Sequence, residues 1–378
     1  MSRLERHAVA AGTVFDGAVT HRDCAVVIEG ARILGLGPRR ELPTNLPATD
    51  LPEGAWLAPG FVDIQVNGGG DVLFNDAPSP EGLAAIAAAH RRFGTTALLP
   101  TLISDTDEKM RAARRAVEAV SGRHPGILGI HFEGPFLSPE RPGVHDPAVL
   151  RRPEPEDIEL VAGLGTGVTL VTLAPEVAPA GFVARLAAAG AKVSLGHSMA
   201  TYDETRRAMA EGLTGFTHLF NAMRPLDSRE PGPIAAALEA PDAFIGLIAD
   251  GVHVHPSMLK LALRGAATPI LVTDAMPCVG GRPGFRLYGQ EISVRDGRCV
   301  RDDGTLAGAA LDMASAVRNA VHVLGVPLPR ALAMASRAPA DFLGLRLGRL
   351  GPGYRADLVA LDPGEIRVIG TWLAGDPA

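Results

Sequence analysis

The chain alternates short apolar runs with longer, alanine-rich runs in which apolar residues recur every three or four positions. The first pattern is typical of buried β-strands and the second of amphipathic helices. Strands that alternate with helices pair in parallel, so eight such units favour an α/β fold, the (β/α)8 TIM barrel. The eight predicted strands are GFVDIQV (60–66), TALLPT (96–101), GILGIHF (126–132), VTLVTLA (168–174), AKVSLGH (191–197), GFTHLF (215–220), AFIGLIA (243–249) and PILVTDA (269–275).

The two ends of the chain show short strands separated by glycine-containing turns. These strands are AVAAGTVFDG, CAVVIEG and ARILGLG before a proline-rich stretch, and GYRADLVALD and EIRVIGTWLAG at the other end. Because the two sets match in length and alternation, we predict that they pair into a small β-sandwich domain. It would comprise residues 1–56 and 346–378, beside a barrel of residues 57–345. After the eighth barrel strand we predict a short β-like insertion, FRLYGQEISVRDGRCV, followed by two helical segments.

Composition and charge exclude several classes of protein. Hydrophobic residues make up 47% of the 378 residues and charged residues 21%, which is ordinary globular usage. The net charge of −6 gives no general attraction for nucleic acid. No apolar run reaches the roughly 18 residues that span a bilayer, and the start MSRLERHAVAAG lacks the apolar stretch of a signal peptide. We therefore predict a cytoplasmic protein without a nucleic-acid or membrane partner.

Three cysteines, Cys24, Cys278 and Cys299, are spread along the chain without CxxC spacing. Their odd number and wide separation predict neither a disulfide framework nor a thiolate zinc site. The expectation for each is a buried or inert thiol.

Polar, metal-capable residues follow several of the predicted strands. Glu133 follows the third strand, His197 ends the fifth, His218 lies in the sixth and Asp274 in the eighth. In a barrel these ends meet on one face. A single histidine there is more often a hydrogen-bonded rim residue, but one carboxylate with two imidazoles makes a three-ligand set that leaves a coordination position for water. The pattern therefore predicts a catalytic metal site.

Three further residues near this face are candidates for the reaction. Asp274 could take the proton of an activated water and pass it to a leaving group, although a loop-capping role is the simpler alternative. His145 and His253 lie in loops after the third and seventh strands. One could polarise a carbonyl and the other hold a hydroxyl, and neither assignment is decided by the sequence.

Several motifs resemble the amidohydrolase superfamily and, within it, the N-acetylglucosamine-6-phosphate deacetylase family. The resemblance runs almost end to end, and HFEGPF, THLFNAM and LVTDAM in this order are specific to the family. The shorter ADLV near the end is shared by many amidohydrolases. The motifs are PGFVDIQVNGGG (59–70), HFEGPF (131–136), GVHDP (143–147), LGHS (195–198), THLFNAM (217–223), REPG (229–232), DGVH (250–253), LVTDAM (271–276) and TLAGAALDM (305–313).

One difference between these motifs and the superfamily pattern predicts the number of metal ions. Many superfamily members hold a second ion with a His-x-His pair at the end of the first strand, where this chain has Gln65 and Asn67. Neutral amides are poor ligands beside imidazole. The bridging carboxylated lysine of the superfamily is not apparent either. The chain thus resembles the single-metal branch, with Gln65 and Asn67 as vestigial second-metal positions.

The resemblance implies a role for each matching residue. Glu133, His197 and His218 would hold one divalent ion, usually zinc, although iron and other ions occur in such sites. Asp274 would be the catalytic acid and base, with His145 near the acetyl carbonyl. The other implied substrate contacts are His253 to the sugar, Asn221, Ala222 and Arg229 to the phosphate, and Leu306 and Gly308. A surface charge is the simpler alternative for Arg229.

The implied reaction is hydrolysis of the acetamide of N-acetylglucosamine 6-phosphate to glucosamine 6-phosphate and acetate. The family's arginine loop lies near a subunit interface, so the resemblance also implies a homodimer. Three alternatives remain open. They are deacetylation of another N-acetylhexosamine 6-phosphate, another amidohydrolase activity, and a non-catalytic relative that serves as a binding protein.

Overall fold

The computed structural model of the protein describes residues 6–377. It begins with a meander of three antiparallel strands, followed by two strands that pair in parallel with the first. These strands are β1 (Arg6–Phe15), β2 (Thr20–Glu29), β3 (Arg32–Pro38), β4 (Ala48–Asp50) and β5 (Trp56–Pro59). Side chains alternate along β1, with Val9 and Ala11 in one apolar cluster and Ala8 and Ala10 in another.

Eight parallel strands form the barrel that the sequence predicts. In chain order its elements, with one small hairpin, are β6 (Phe61–Val66), β7 (Gly68–Gly69), β8 (Val72–Leu73), α1 (Pro80–Arg91), β9 (Thr95–Ile103), α2 (Asp107–Val120), β10 (Gly129–Glu133), α3 (Asp157–Val161), β11 (Val168–Leu173), α4 (Phe182–Ala188), β12 (Lys192–Leu195), α5 (Tyr202–Ala210), β13 (Leu213–Phe216), α6 (Gly232–Leu238), β14 (Phe244–Ile248), α7 (Pro256–Ala262) and β15 (Thr268–Val272). The barrel strands follow the order β6, β9 to β15.

Backbone hydrogen bonds close the barrel between its first and last strands. The N–H of Asp274 donates to the carbonyl of Gln65 at 3.0 Å, and the N–H of Asn67 donates to Ala275 at 2.9 Å. Every residue of β6, β9 and β10 is buried, as expected for strands covered on both faces. The closure places Gln65, Asn67 and Asp274 beside one another.

Hydroxyl caps fix where several barrel helices begin. Ser79 and Thr106 accept hydrogen bonds from the N–H groups of Gly82 and Lys109. Thr201 forms a capping box with Glu204, so α5 begins five residues after His197. Among the described residues, no helix is long and apolar enough to cross a bilayer.

An antiparallel sheet follows the barrel as an insertion. Its strands are β16 (Gly284–Leu287), β17 (Gln290–Arg295), β18 (Arg298–Val300) and β19 (Leu306–Ala309). Three helices come next, α8 (Met313–His322), α9 (Leu328–Ala335) and α10 (Arg337–Leu343). The prediction of two helical segments was wrong because Ser336, at φ −133° and ψ −70°, separates α9 from α10.

The end of the chain returns to the first sheet. Strands β20 (Leu358–Asp362), β21 (Arg367–Leu373) and β22 (Asp376–Pro377) extend it, since β20 pairs antiparallel with β5. Side chains from both ends share one apolar core, including Val26, Leu358 and Trp372. The predicted fold class, a TIM barrel with a separate β domain, is confirmed. The predicted boundaries at 56/57 and 345/346 stay a prediction, and β5 itself continues in the sheet to Pro59.

The sixth barrel strand differs from its predicted position at 215–220. It spans Leu213–Phe216, so His218 lies in the turn after the strand. His218 and Phe220 have positive φ, at 34° and 82°, which takes the backbone out of the extended region.

Candidate metal centre

Glu133, His197 and His218 meet at the carboxyl end of the barrel. Oε1 of Glu133 lies 2.8 Å from Nε2 of His218 and 3.2 Å from Nε2 of His197, and the two Nε2 atoms are 3.1 Å apart. All three side chains are buried. Each offers one ligand atom, and these atoms lie within 4.8 Å of one another. Three strand ends therefore converge on one candidate metal site.

The hydrogen bonds around the two imidazoles show that this donor set suits a cation. Nδ1 of His197 donates to the carbonyl of Arg141 at 2.9 Å, so its Nε2 carries a lone pair. That lone pair faces the carboxylate of Glu133 and Nε2 of His218. Burial opposes the charge of Glu133, but the neighbouring imidazoles hold the pKa of Glu133 well below its usual range. The negative carboxylate and the imidazole lone pair face the same point, an arrangement that suits a bound cation.

The backbone that presents these side chains is in a strained conformation. His197, His218 and Asp274 have φ of 49°, 34° and 51°, in the left-handed region that few non-glycine residues adopt. The loop after β10 packs closely on the ring of His197, because a Cβ at Gly143 would lie 3.0 Å from Cε1 of His197. Such strain is characteristic of functional sites, where the surrounding packing maintains it.

A half-buried carboxylate holds the loop that carries His197. Glu176, in the loop after β11, accepts hydrogen bonds from Oγ of Ser198 at 2.7 Å and from the N–H of Met199 at 2.5 Å. Ser198 in turn bridges to Met223 in the loop after β13. The loops that carry His197 and His218 are thus bound to each other and to a third loop.

Asp274 lies beside the metal centre and is held by two amides. Nδ2 of Asn67 donates to its Oδ1 at 2.7 Å, and Nε2 of Gln65 donates to the same atom at 3.2 Å. Gln65 also donates to Oε2 of Glu133 at 3.2 Å. Burial, together with the charge of Glu133, raises the pKa of Asp274 to about 6. The two amides therefore act as donors that connect the carboxylates of the site.

His145 is held in one tautomer by Ser104. Its Nδ1 accepts from the N–H of Ser104 at 3.2 Å and lies 2.7 Å from Oγ of the same residue. Burial and the neighbouring His197 hold the pKa of His145 well below its usual range, so the ring is neutral. With Nδ1 as the acceptor, Nε2 carries the proton. His145 can therefore donate a hydrogen bond from Nε2 to a ligand.

A cavity of about 260 Å³ opens above these residues. Nδ1 of His253 is fixed on its wall by Oδ2 of Asp250 at 2.6 Å. The sequence candidates that line the cavity are Asn67, Glu133, His145, His197, His218, Asn221, Ala222, His253, Asp274, Leu306 and Gly308. Two candidates do not line it. Gln65 lies beneath the cavity, and Arg229 is exposed farther along the loop that carries His218 and Asn221.

Sequence reasoning missed three residues that support the site. They are Glu176, Ser104 and Asp63, which accepts a hydrogen bond from Oγ1 of Thr273 at 2.6 Å inside the barrel. Two of them could have been noticed in the sequence. Glu176 ends the run TLAPE, and Asp63 is a charged residue within a strand that is predicted to be buried. Ser104 carried no such signal, because only the fold brings it to His145.

Comparison with known proteins places the chain in a class. It belongs to the amidohydrolase family, whose sequence profile matches residues 56–377. The resemblance to the amidohydrolase superfamily that the motifs indicate is therefore confirmed.

Particular relatives within that class are deacetylases of amino sugar phosphates. The chain is 44% identical to N-acetylgalactosamine-6-phosphate deacetylase of Shewanella sp. (strain ANA-3), over 93% of this chain and 91% of the relative. It is 36% identical to N-acetylglucosamine-6-phosphate deacetylase of Haemophilus influenzae, over 94% of each. The crystal structure of N-acetylglucosamine-6-phosphate deacetylase from Pasteurella multocida superposes with a TM-score of 0.94, at 34% identity and 99% coverage of both chains.

Proposed function

We propose that the chain hydrolyses the acetamide of N-acetylglucosamine 6-phosphate to glucosamine 6-phosphate and acetate. One observation carries the proposal: a Glu/His/His donor set converges beside a half-buried aspartate at the floor of a cavity. Similarity to deacetylases over nearly the whole chain supports the same reaction. The cytoplasm, where sugar phosphates are held, is the compartment we propose for it.

Glu133, His197 and His218 would hold one divalent ion. Two imidazoles and one carboxylate are the ligand set of many catalytic zinc sites, so we propose zinc, with iron as the alternative ion. When bound, such an ion lowers the pKa of water to about 7 and polarises a carbonyl group.

Asp274 would move the proton during the reaction. Both amide donors bind its Oδ1, so we assign proton transfer to Oδ2. The carboxylate accepts a proton from the attacking water as the oxygen adds to the acetamide carbon. It then returns this proton to nitrogen as the C–N bond breaks, so the amine leaves in neutral form. No covalent bond between enzyme and substrate is required.

The remaining cavity residues would bind and orient the substrate. His145 would donate its Nε2–H to the carbonyl oxygen as negative charge develops there. His253 would contact the sugar, while Asn221 and Ala222 would contribute to the phosphate site with Leu306 and Gly308 nearby. All of these line the same cavity.

Arg229 would bind the phosphate group through a homodimer. An arginine suits this task because its planar guanidinium binds phosphate with two hydrogen bonds and keeps its charge. Since Arg229 is exposed and outside the cavity of its own chain, we propose that it serves the cavity of a partner subunit.

The test is acetate release from N-acetylglucosamine 6-phosphate by zinc-loaded protein and by protein treated with a chelator. We expect steady release only from the loaded protein, restored when zinc is added back. Failure of the loaded protein to release acetate would contradict the proposal. The second candidate function is deacetylation of N-acetylgalactosamine 6-phosphate, which the 44% identity to the Shewanella enzyme favours. The same assay with this substrate tests it. The kcat/KM ratio decides between the two epimers.

A further inference from the structure

Two of the three thiols of the chain meet behind the wall of the cavity. Sγ of Cys278 lies 3.5 Å from Sγ of Cys299, although the residues are 21 positions apart. Cys278 is half-buried in the turn that follows β15, and Cys299 is buried in the centre of β18. Cys24 lies apart, in the core of the terminal sheet.

The two cysteines connect the loop that leaves Asp274 to the β16–β19 insertion. Both belong to a small apolar cluster with Met276, Leu287 and Ile292, separate from the barrel core. Strand β19 is hydrogen-bonded to the Asp274 loop, because the N–H of Met276 donates to Ala309 at 3.0 Å. No such backbone pairing joins β18 to the turn of Cys278 among the described residues.

Metal binding does not account for this pair. In residues 6–377, the one group of three or more histidine, cysteine or acidic side chains with converging ligand atoms is that of Glu133, His197 and His218. Two thiols in contact without a third ligand have the chemistry of a dithiol. We propose that Cys278 and Cys299 form a reversible disulfide site that reacts with small disulfides such as oxidised glutathione.

The reaction balances with oxidised glutathione as the oxidant. The thiolate of Cys278 attacks one sulfur of glutathione disulfide, its S–S bond breaks, and one glutathione leaves and takes up a proton. Cys299 then attacks the sulfur of Cys278, which forms the protein disulfide and releases the second glutathione with the second proton. The two protein thiols are oxidised and the glutathione disulfide is reduced.

Cys278 suits the attacking position for two reasons. It is the more exposed of the pair. The hydrogen bond between the two thiols also lowers the pKa of the Cys278 thiol, which favours the thiolate. Cys299 is in contact with Cys278 and needs no large movement to complete the second step.

Disulfide formation would change the wall of the cavity. The sulfur atoms must approach from 3.5 Å to about 2.05 Å, which draws β18 toward the turn after Met276. Met276, Thr305 and Gly308 line the cavity on this side. The wall is closely packed there, since a Cβ at Gly308 of β19 would lie 2.6 Å from the Met276 side chain. We expect kcat/KM to fall several-fold, an effect that rests on the proposed function.

The disulfide is tested on intact, metal-loaded protein incubated with oxidised glutathione. Free thiols are then alkylated, and a tryptic digest is analysed without reductant. We expect residues 299–301 joined to residues 265–286, with Cys24 alkylated, and loss of this product after dithiothreitol. Cys24→Ser should behave like the natural chain, and Cys299→Ala should stop at glutathione bound to Cys278. Thiols that stay free, or a disulfide that includes Cys24, would overturn the proposal. The peptide digest of the natural chain decides this by itself, so the test does not depend on any variant.

Acetate release measures the link to the cavity. The oxidised natural chain should lose several-fold in kcat/KM and regain it with dithiothreitol, while Cys278→Ser, which lacks the attacking thiol, stays at its untreated rate. A disulfide that forms without a change in kcat/KM would disprove the link. If the reduced protein released no acetate at all, the proposed function would fail, and the digest would still decide whether the disulfide exists.

Discussion

Individual side chains of the site present one particular atom to the cavity because a hydrogen bond fixes the opposite atom. Nδ1 of His197 donates to a backbone carbonyl, whereas Nδ1 of His145 accepts from a backbone N–H. The same residue type therefore offers a lone pair at His197 and a proton at His145. These opposite tautomers are what a metal ligand and a carbonyl-binding donor require.

Asp274→Asn should abolish most of the turnover and leave the metal in place. The asparagine oxygen can still accept from Gln65 and Asn67, but it cannot take a proton from water. Loss of acid–base catalysis typically costs a factor of about 100 to 10,000 in rate, and we expect kcat to fall by at least the lower value. Steady-state kinetics and metal analysis of the same preparation test this. A kcat close to that of the natural chain would remove Asp274 from the mechanism.

Asp63→Asn should make the protein more stable at neutral pH than the natural chain. Burial raises the pKa of Asp63 from 3.8 to about 7. The neutral carboxyl of Asp63 therefore makes its full contribution to stability below pH 3.8, and this contribution is lost as the pH rises through about 7. Asparagine remains neutral throughout. The Tm difference between variant and natural chain should therefore be small near the lower limit and grow toward pH 7. A difference that does not change with pH would show that Asp63 is ionised in the folded protein.

Loops at the ends of neighbouring strands act together at the scale of secondary structure. The loops after β11, β12 and β13 are joined through Glu176, Ser198 and Met223. Two of these loops carry metal-ligand candidates, while the third carries only a carboxylate that orients them. The geometry of His197 therefore depends on a residue in the loop that follows a different strand, β11.

Glu176→Ala should weaken metal binding without removing any ligand. Loss of a group that orients a metal ligand typically costs about 10- to 100-fold in affinity. Glu176→Gln is the matched control, because its amide can still accept from Met199 and contact Ser198. Competition with a chelator of known affinity measures the zinc Kd of each variant. Equal Kd values for the alanine variant and the natural chain would refute this role.

Strand positions could be predicted from the sequence and turn geometry could not. The apolar runs of the barrel locate β6, β9 and β15 to within a few residues, since burial on both faces leaves a continuous apolar signal. The sixth strand was misplaced because the run GFTHLF continues past its end. There the positive φ of His218 turns the chain, and hydrophobicity carries no information about that change.

The whole molecule decides which distant residues meet. Glu133, His197 and His218 could be predicted to converge because parallel strands place their carboxyl ends on one face. Ser104 and His145, or Cys278 and Cys299, follow no such rule. Their contacts depend on the paths of long loops and of the β insertion.

Arg229→Ala should reduce activity toward the phosphorylated sugar alone. Loss of hydrogen bonds to a charged group typically costs about 1.5–3 kcal/mol, or about 10- to 100-fold in kcat/KM. Activity toward unphosphorylated N-acetylglucosamine should not change. Arg264→Ala, another exposed arginine, is the control, and light scattering should show a dimer for all three proteins. Equal losses on both sugars would contradict a phosphate role.

Strand β5 lies between β1 and β20, which are contributed by opposite ends of the chain. During synthesis, β5 leaves the ribosome about 300 residues before its second neighbour, so one of its edges remains uncovered while the barrel is assembled. The terminal sheet can be completed only after β20 (Leu358–Asp362) has been synthesised. The growing chain therefore depends on its barrel, or on a chaperone, to keep that edge from pairing with other nascent proteins.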